Sequence, residues 1–123
     1  MKTTTILIVG GYGNAGCSIA KLLLHHTNAS IIIAGRNKDK AEKIATQLEK
    51  KYPQRVSACA LDVADKNQLT EAFEKCDLAI IAAATIPYVE TVIETAIETG
   101  TDYLDTQLSF PQKIKTLKKY EDI

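Results

Sequence analysis

The sequence predicts a doubly wound α/β domain built on one parallel sheet in the strand order 3-2-1-4-5. Three observations carry this. Short apolar runs alternate five times with segments of helical periodicity, the connections between them are short, and the runs are apolar almost without interruption. A helix between two strands returns the chain in the same direction, which makes neighbouring strands parallel. Strands covered by helices on both faces have no solvated side, which accounts for their continuous apolar character.

The first run, Ile6 to Val9, stops at Gly10-Gly11, and Ala15, Ile19, Leu22 and Leu23 follow at helical spacing. Ser30 to Ala34 is β-branched and apolar. After Arg36-Asn37 come Ala41, Ile44, Ala45 and Leu48 in an i, i+3, i+4, i+7 pattern, with Asn37 placed to cap that helix. Val56 to Leu61 is the third strand. Asp65, with Gln68 three residues on, starts the helix that carries Leu69, Ala72 and Phe73. Leu78 to Ala82 is the fourth strand. Pro87 suits the first turn of the next helix, whose apolar face is Val89, Val92, Ile93, Ala96 and Ile97, and Gly100 stands where a C-cap glycine would end it. A brief fifth strand around Tyr103-Leu104 precedes a last helix through Ile114 and Leu117.

Composition narrows the function classes. The 123 residues include 15 Lys plus Arg against 15 Asp plus Glu, so the chain is formally neutral and lacks the basic patch that a nucleic-acid groove needs. Hydrophobic residues at 46% and charged residues at 24% fit an ordinary folded domain, with no disordered tract. The longest apolar run, Leu78 to Ala84, falls well short of the roughly 18 residues of a membrane span. The N-terminus lacks a signal-peptide pattern, so the cytoplasm is the expected compartment. Cys17, Cys59 and Cys76 are odd in number and form no Cys-x-x-Cys, which makes them small core residues in a reducing cell.

Gly11-Tyr12-Gly13-Asn14-Ala15-Gly16 is a Gly-x-Gly-x-x-Gly placed between a strand and a helix, the context in which that motif binds a dinucleotide. Gly11 permits the tight turn, Gly13 lets the backbone approach a pyrophosphate, and Gly16 lets helix and strand pack closely. The phosphates then sit at a helix N-terminus, where unpaired N–H groups and the positive end of the helix dipole favour an anion. An NAD-selective site places a carboxylate about 20 residues further on, where it holds the adenosine ribose hydroxyls. Here Gly35 and Arg36 stand 19 and 20 residues after Gly16, and neither is an acid. A guanidinium beside a glycine suits a 2′-phosphate, so NADP is expected over NAD. Asp62 and Val63, after the third strand, are placed either to receive adenine or to make a turn. Ala82, Ala83 and Ala84 offer small side chains where the ribose and nicotinamide would pass. His25 and His26 close a helix far from any partner at metal-ligand spacing, so no metal is expected. No nucleophilic or acid–base constellation is complete, and the catalytic residues stay unassigned.

In their order these residues resemble the N-terminal NADP-binding domain of the saccharopine dehydrogenase/reductase-like proteins. The likeness rests on Ile6 to Gly16, Ala34-Gly35-Arg36-Asn37 with Lys40-Ala41-Glu42, Leu61-Asp62-Val63, Pro87-Tyr88, and Gly100-Thr101-Asp102-Tyr103-Leu104-Asp105. It implies that Gly11, Gly13 and Gly16 cradle pyrophosphate, that Arg36 meets the 2′-phosphate, and that Asp62-Val63 meet the adenine. Thr106-Gln107-Leu108-Ser109 departs from the small-Gly-Glu segment usual in the family. Such enzymes are also longer, with a C-terminal domain that supplies the dimerising sheet and most of the substrate site. The expectation is therefore one domain over residues 1–123, the cofactor half of an oxidoreductase that transfers hydride to or from an amino-acid-like or imine substrate. Substrate binding and homodimerisation would both depend on the missing half. Two other classes share the opening motif. One is a non-catalytic dinucleotide-sensing module, such as the regulatory domains of potassium transporters; the other is an S-adenosylmethionine-dependent transferase. Gly35-Arg36 counts against both, because both usually keep an acid at that place.

Overall fold

Each apolar run forms a strand and each periodic segment a helix. The computed structural model describes residues 3–82, 88–105 and 111–119. In chain order the elements are β1 (Thr5–Val9), α1 (Asn14–His26), β2 (Ser30–Gly35), α2 (Lys38–Lys51), β3 (Val56–Ala60), α3 (Lys66–Glu74), β4 (Leu78–Ile81), α4 (Val89–Thr99), β5 (Asp102–Asp105) and α5 (Pro111–Lys119). The strands make one five-stranded sheet in the order β3-β2-β1-β4-β5, and all four pairings are parallel. The expected architecture is the observed one. Leu7 lies level with Ile32 on one side and Ala79 on the other, so β1 is central and buried on both faces.

Alternation along the strands divides the core in two. Ile6, Ile8, Ile31, Ile33 and Ile80 face α1 and α2, where they meet Ala20, Leu24, Ala41, Ala45 and Leu48. Leu7, Val9, Ala34, Ala79 and Ile81 face the opposite way onto Leu69, Ala72 and Phe73 of α3 and Val92 and Ala96 of α4. With α1 and α2 on one face and α3 and α4 on the other, the strand order reverses direction beside β1, and this opens a crevice at the carboxyl ends of β1 and β4.

Helix ends follow the predicted chemistry. The Asn37 side chain accepts from Lys40 N at 3.0 Å, and Asp65 accepts from Asn67 N and Gln68 N at 3.0 and 3.2 Å. Gly100 adopts φ 69°, with Gly100 N donating to Ile97 O and Thr101 N to Ala96 O, which is a Schellman ending. Pro87 lies outside the described residues. Two apolar assignments need correction. On α1 the buried face runs through Gly16, Ala20 and Leu24, while Ala15 is exposed and Leu22 is 60% exposed. Three consecutive leucines fit either register, and the close seat of Gly16 on β1 selects this one. On α4, Ile97 is exposed beyond the buried Val92–Ile93–Ala96 stripe.

Arg55 makes a contact that sequence patterns did not single out. Its guanidinium donates to Leu24 O at 3.1 Å, Thr27 O at 2.6 Å and Ala29 O at 3.0 and 3.1 Å, and it lies 5.4 Å from the Tyr52 ring centre. It thus satisfies carbonyls left over at the end of α1 and ties the α1–β2 loop to the start of β3. Cys17, Cys59 and Cys76 are free thiols, half-buried rather than fully inside. Burial pushes the Cys76 thiol up to about 11, which keeps it protonated at neutral pH. Among the described residues no helix is long and apolar enough to cross a membrane, and no His, Cys, Asp or Glu cluster could hold a metal.

Phe73 is the largest fully buried side chain. Phe73→Ala is expected to cost about 3–5 kcal/mol, read as a lower urea midpoint at unchanged slope.

Candidate functional site

The glycine turn joins β1 to α1 under tight steric control. Gly10 carries the positive φ of 82°, and its N–H donates to Ala34 O at 2.7 Å. The tight turn expected at Gly11 is therefore made one residue earlier, because Gly10 is where the chain must leave the strand in a left-handed conformation. Gly11 is needed for space instead: a Cβ there would lie 2.9 Å from Ile33 Cγ2. At Gly16 a Cβ would fall 2.2 Å from Gly10 O and 2.7 Å from Gly11 Cα, so helix and strand touch as the motif predicts. Around Gly13 the nearest atom to a Cβ is Gly10 O, at 3.4 Å, and the residue is exposed, as are Asn14 and Ala15. Gly13 is also the N-cap of α1 and brings no side-chain acceptor to the helix end, unlike Asn37 and Asp65 on α2 and α3.

This turn forms one wall of a cleft of about 360 Å³ over the carboxyl ends of the strands. Val9, Gly10, Tyr12 and Gly13 line it from the first βα turn, Gly35 and Arg36 from the end of β2, and Leu61, Asp62 and Val63 from the end of β3. Ala82 follows β4, and Tyr88 precedes α4 on the far side. Among the described residues of this lining, Arg36 is the one cation and Asp62 the one anion. Arg36 is exposed, and no described carboxylate pairs with it. Asp62 Oδ1 accepts from Ala64 N at 3.0 Å, and Asp62 N donates to Gln68 Oε1 at 3.0 Å, so this residue builds the β3–α3 turn while lining the cleft. Gln68 therefore reaches Asp62 rather than closing the cap box on Asp65 N, although its Nε2 does donate to Asp65 Oδ2.

The cleft thus collects Tyr12, Gly13, Gly35, Arg36, Asp62 and Val63, with Gly11 and Gly16 buried behind the turn. Asn37 borders it through a hydrogen bond, its N–H donating to Tyr12 Oη at 3.2 Å. Ala83 and Ala84 lie outside the described residues, as do Thr106 to Ser109. A second hollow of about 400 Å³, between β3 and α3, is lined by Cys59, Gln68, Glu71 and Lys75 and gathers none of the motif residues. At the end of β5, Tyr103 Oη donates to the Asp105 carboxylate. Burial first, then that carboxylate, hold the Tyr103 hydroxyl far above its ordinary range, so it stays a proton donor.

The saccharopine dehydrogenase NADP binding domain family matches residues 6–122. The chain belongs to that family. It is a saccharopine dehydrogenase-type NADP-binding domain, as its ordered motifs suggested. An uncharacterised oxidoreductase of Staphylococcus aureus (strain N315) is 32% identical over 94 residues, which cover 76% of this chain and 37% of that protein. The chain therefore spans little more than a third of the curated relative it matches. Apo saccharopine dehydrogenase (L-Glu forming) from Saccharomyces cerevisiae superposes with a TM-score of 0.76 at 21% identity, over 91% of this chain and 23% of that one. A short-chain dehydrogenase/reductase from Veillonella parvula, solved with NADP, superposes at 0.71 with 14% identity, over 99% and 57%. At these identities the two superpositions show a shared fold.

The glycines of this saccharopine dehydrogenase-type turn differ in what they tolerate. Gly16→Ala is expected to lose about 1–3 kcal/mol or more, because a methyl must displace backbone. Gly13→Ala stays within about 1 kcal/mol of wild type. Paired urea unfolding curves measure both.

Proposed function

We propose that the cleft holds NADP(H) across the carboxyl ends of the strands and that this domain is the cofactor half of an oxidoreductase. What carries the reading is the convergence of the exposed Gly13 of the glycine turn, Arg36, the one cation among the described lining residues, and the Asp62-Val63 strand end on one crevice. The backbone N–H groups that open α1, left without a side-chain cap, receive the pyrophosphate. Gly11 and Gly16 bring that helix end close enough to β1 to leave room above Gly13. Arg36 meets the 2′-phosphate with charge-assisted hydrogen bonds, and Asn37 begins the helix beside it. Asp62 and Val63 border the adenine, and Ala82, which follows β4, borders the nicotinamide half. When bound, the cofactor supplies the hydride chemistry. The protein's share is to fix the position and face of the nicotinamide.

The substrate class that suits this assignment is an amino-acid-like compound or an imine derived from one. It is bound largely by residues outside these 123, since the matched relatives are much longer. A homodimer formed through that further region, in a reducing cytoplasm where the three thiols stay free, completes the proposal.

Arg36→Ala is expected to weaken NADP+ binding by about one to two decades, the equivalent of roughly 1.5–3 kcal/mol, while leaving NAD+ nearly unchanged. Calorimetric titration of both cofactors against both proteins decides it, and an unchanged NADP+/NAD+ ratio would make Arg36 a plain surface arginine. The 123-residue chain is also expected to bind NADPH without oxidising it above a cofactor-only blank when amino acids or imines are added, because hydride transfer requires an enforced approach of substrate to nicotinamide. Sustained turnover would place the whole catalytic apparatus within this domain.

A further inference from the structure

Tyr12 occupies the variable position between the first two motif glycines, and the turn carries it across to the end of β2. There its ring lies against Gly35. A Cβ built on Gly35 would stand 2.2 Å from Tyr12 Cε1 and 2.6 Å from both Cζ and Oη. The hydroxyl at the ring's tip accepts from the backbone N–H of Asn37 at 3.2 Å. Tyr12 therefore bridges the glycine turn to the first residue of the α2 cap, with Gly35 beneath it and Arg36 between its two points of contact. The ring is half-buried and lines the cleft proposed to hold the cofactor.

We propose that Tyr12 is a specificity-determining residue of this site: its ring fills the space that a carboxylate side chain at position 35 would need, and its hydroxyl pins the turn that presents Arg36. The inference rests on the proposed NADP(H) site and deepens it. A carboxylate at the end of β2 is the group that holds the unphosphorylated ribose diol. In this chain that group is shut out by shape as well as missing from the sequence. An acid at position 35 has to push the ring aside, and once the ring moves the Asn37 N–H loses its acceptor. Positions 12 and 35 are consequently coupled, and cofactor choice cannot be reversed at position 35 alone.

Titration calorimetry with NADP+ and NAD+ on wild type, Tyr12→Phe, Gly35→Asp, Tyr12→Ala and Tyr12→Ala/Gly35→Asp tests this, with thermal melts to verify folding. Tyr12→Phe keeps the ring and removes one neutral hydrogen bond, so NADP+ binding weakens about two- to tenfold while NAD+ binding does not change. Gly35→Asp loses NADP+ without gaining NAD+, and the double variant binds NAD+ at least about tenfold more tightly than Gly35→Asp. Where Gly35→Asp does not fold, Gly35→Ala replaces it; the added methyl weakens NADP+ in the Tyr12 background and not in the Tyr12→Ala background. Equal NAD+ affinity of Gly35→Asp and the double variant, or equal losses from Gly35→Ala in both backgrounds, overturns the inference while a wild-type preference for NADP+ leaves the cofactor site standing. A wild type that binds both cofactors equally overturns the site and the inference together.

Discussion

The contact between Gly16 and Gly10 O is the constraint on which the rest of the site depends. With only 2.2 Å available to a Cβ, α1 can begin where it does only because residue 16 has none. That seat fixes the start of α1 against the end of β1, and the bond from Gly10 N to Ala34 O fixes the same turn to β2. The helix N-terminus is thereby held at the seam where the strand order reverses, and it cannot tilt away without opening backbone contacts in the middle of the sheet. Because β1 is covered on both faces, the site inherits the rigidity of the most buried part of the core.

Around this fixed turn, polar side chains divide into those consumed by the fold and those left over. Asn37 and Asp65 cap α2 and α3, and Lys66 reaches from α3 to Thr95 Oγ1 and Glu98 on α4, each contact at 2.9 Å. The chain has two arginines, both at strand ends. Arg55 spends its guanidinium on three backbone carbonyls, where it serves as a structural cross-link. Arg36 lies at the opposite end of the sheet, exposed and beside the cleft, with its donors directed to nothing in the described chain. The same residue type thus has two fates, decided by whether free carbonyls lie within its reach.

Strand order, the capped starts of α2 and α3 and the Gly100 ending were legible in the sequence because each rests on local pattern: continuous apolar runs, cap residues and a glycine at a helix end. Leu22 was misassigned because a run of leucines fits two helical registers, and the choice between them is made by a contact with another element. Gly35 was singled out as the place where an acid is missing, and a further reason for a glycine there is Tyr12, which is 23 residues away in sequence. The four hydrogen bonds of Arg55 were invisible for the same reason: its acceptors come from the end of α1 and the loop after it, which only the folded β2–β3 pairing brings near. Asp62 was left between adenine contact and turn residue, and its bond to Ala64 N establishes the turn part of that pair. Local chemistry is written in short stretches of sequence, whereas long-range packing becomes visible only once the sheet has formed.

A neutral chain has little long-range field with which to choose between two dinucleotides that differ by one phosphate, and at physiological ionic strength charges are screened beyond about 8 Å. Any preference must therefore be made by contact. In the proposed NADP(H) site three local features near the end of β2 would act in the same direction: Arg36 would supply attraction, the absence of a carboxylate removes repulsion, and the Tyr12 ring closes the space in which a carboxylate would have been built. Asp62, the one anion among the described lining residues, belongs to the neighbouring strand end and has one carboxylate oxygen engaged by Ala64 N. The first two features concern charge and weaken with salt. The third is steric, so it continues to disfavour diol recognition when the attraction is screened.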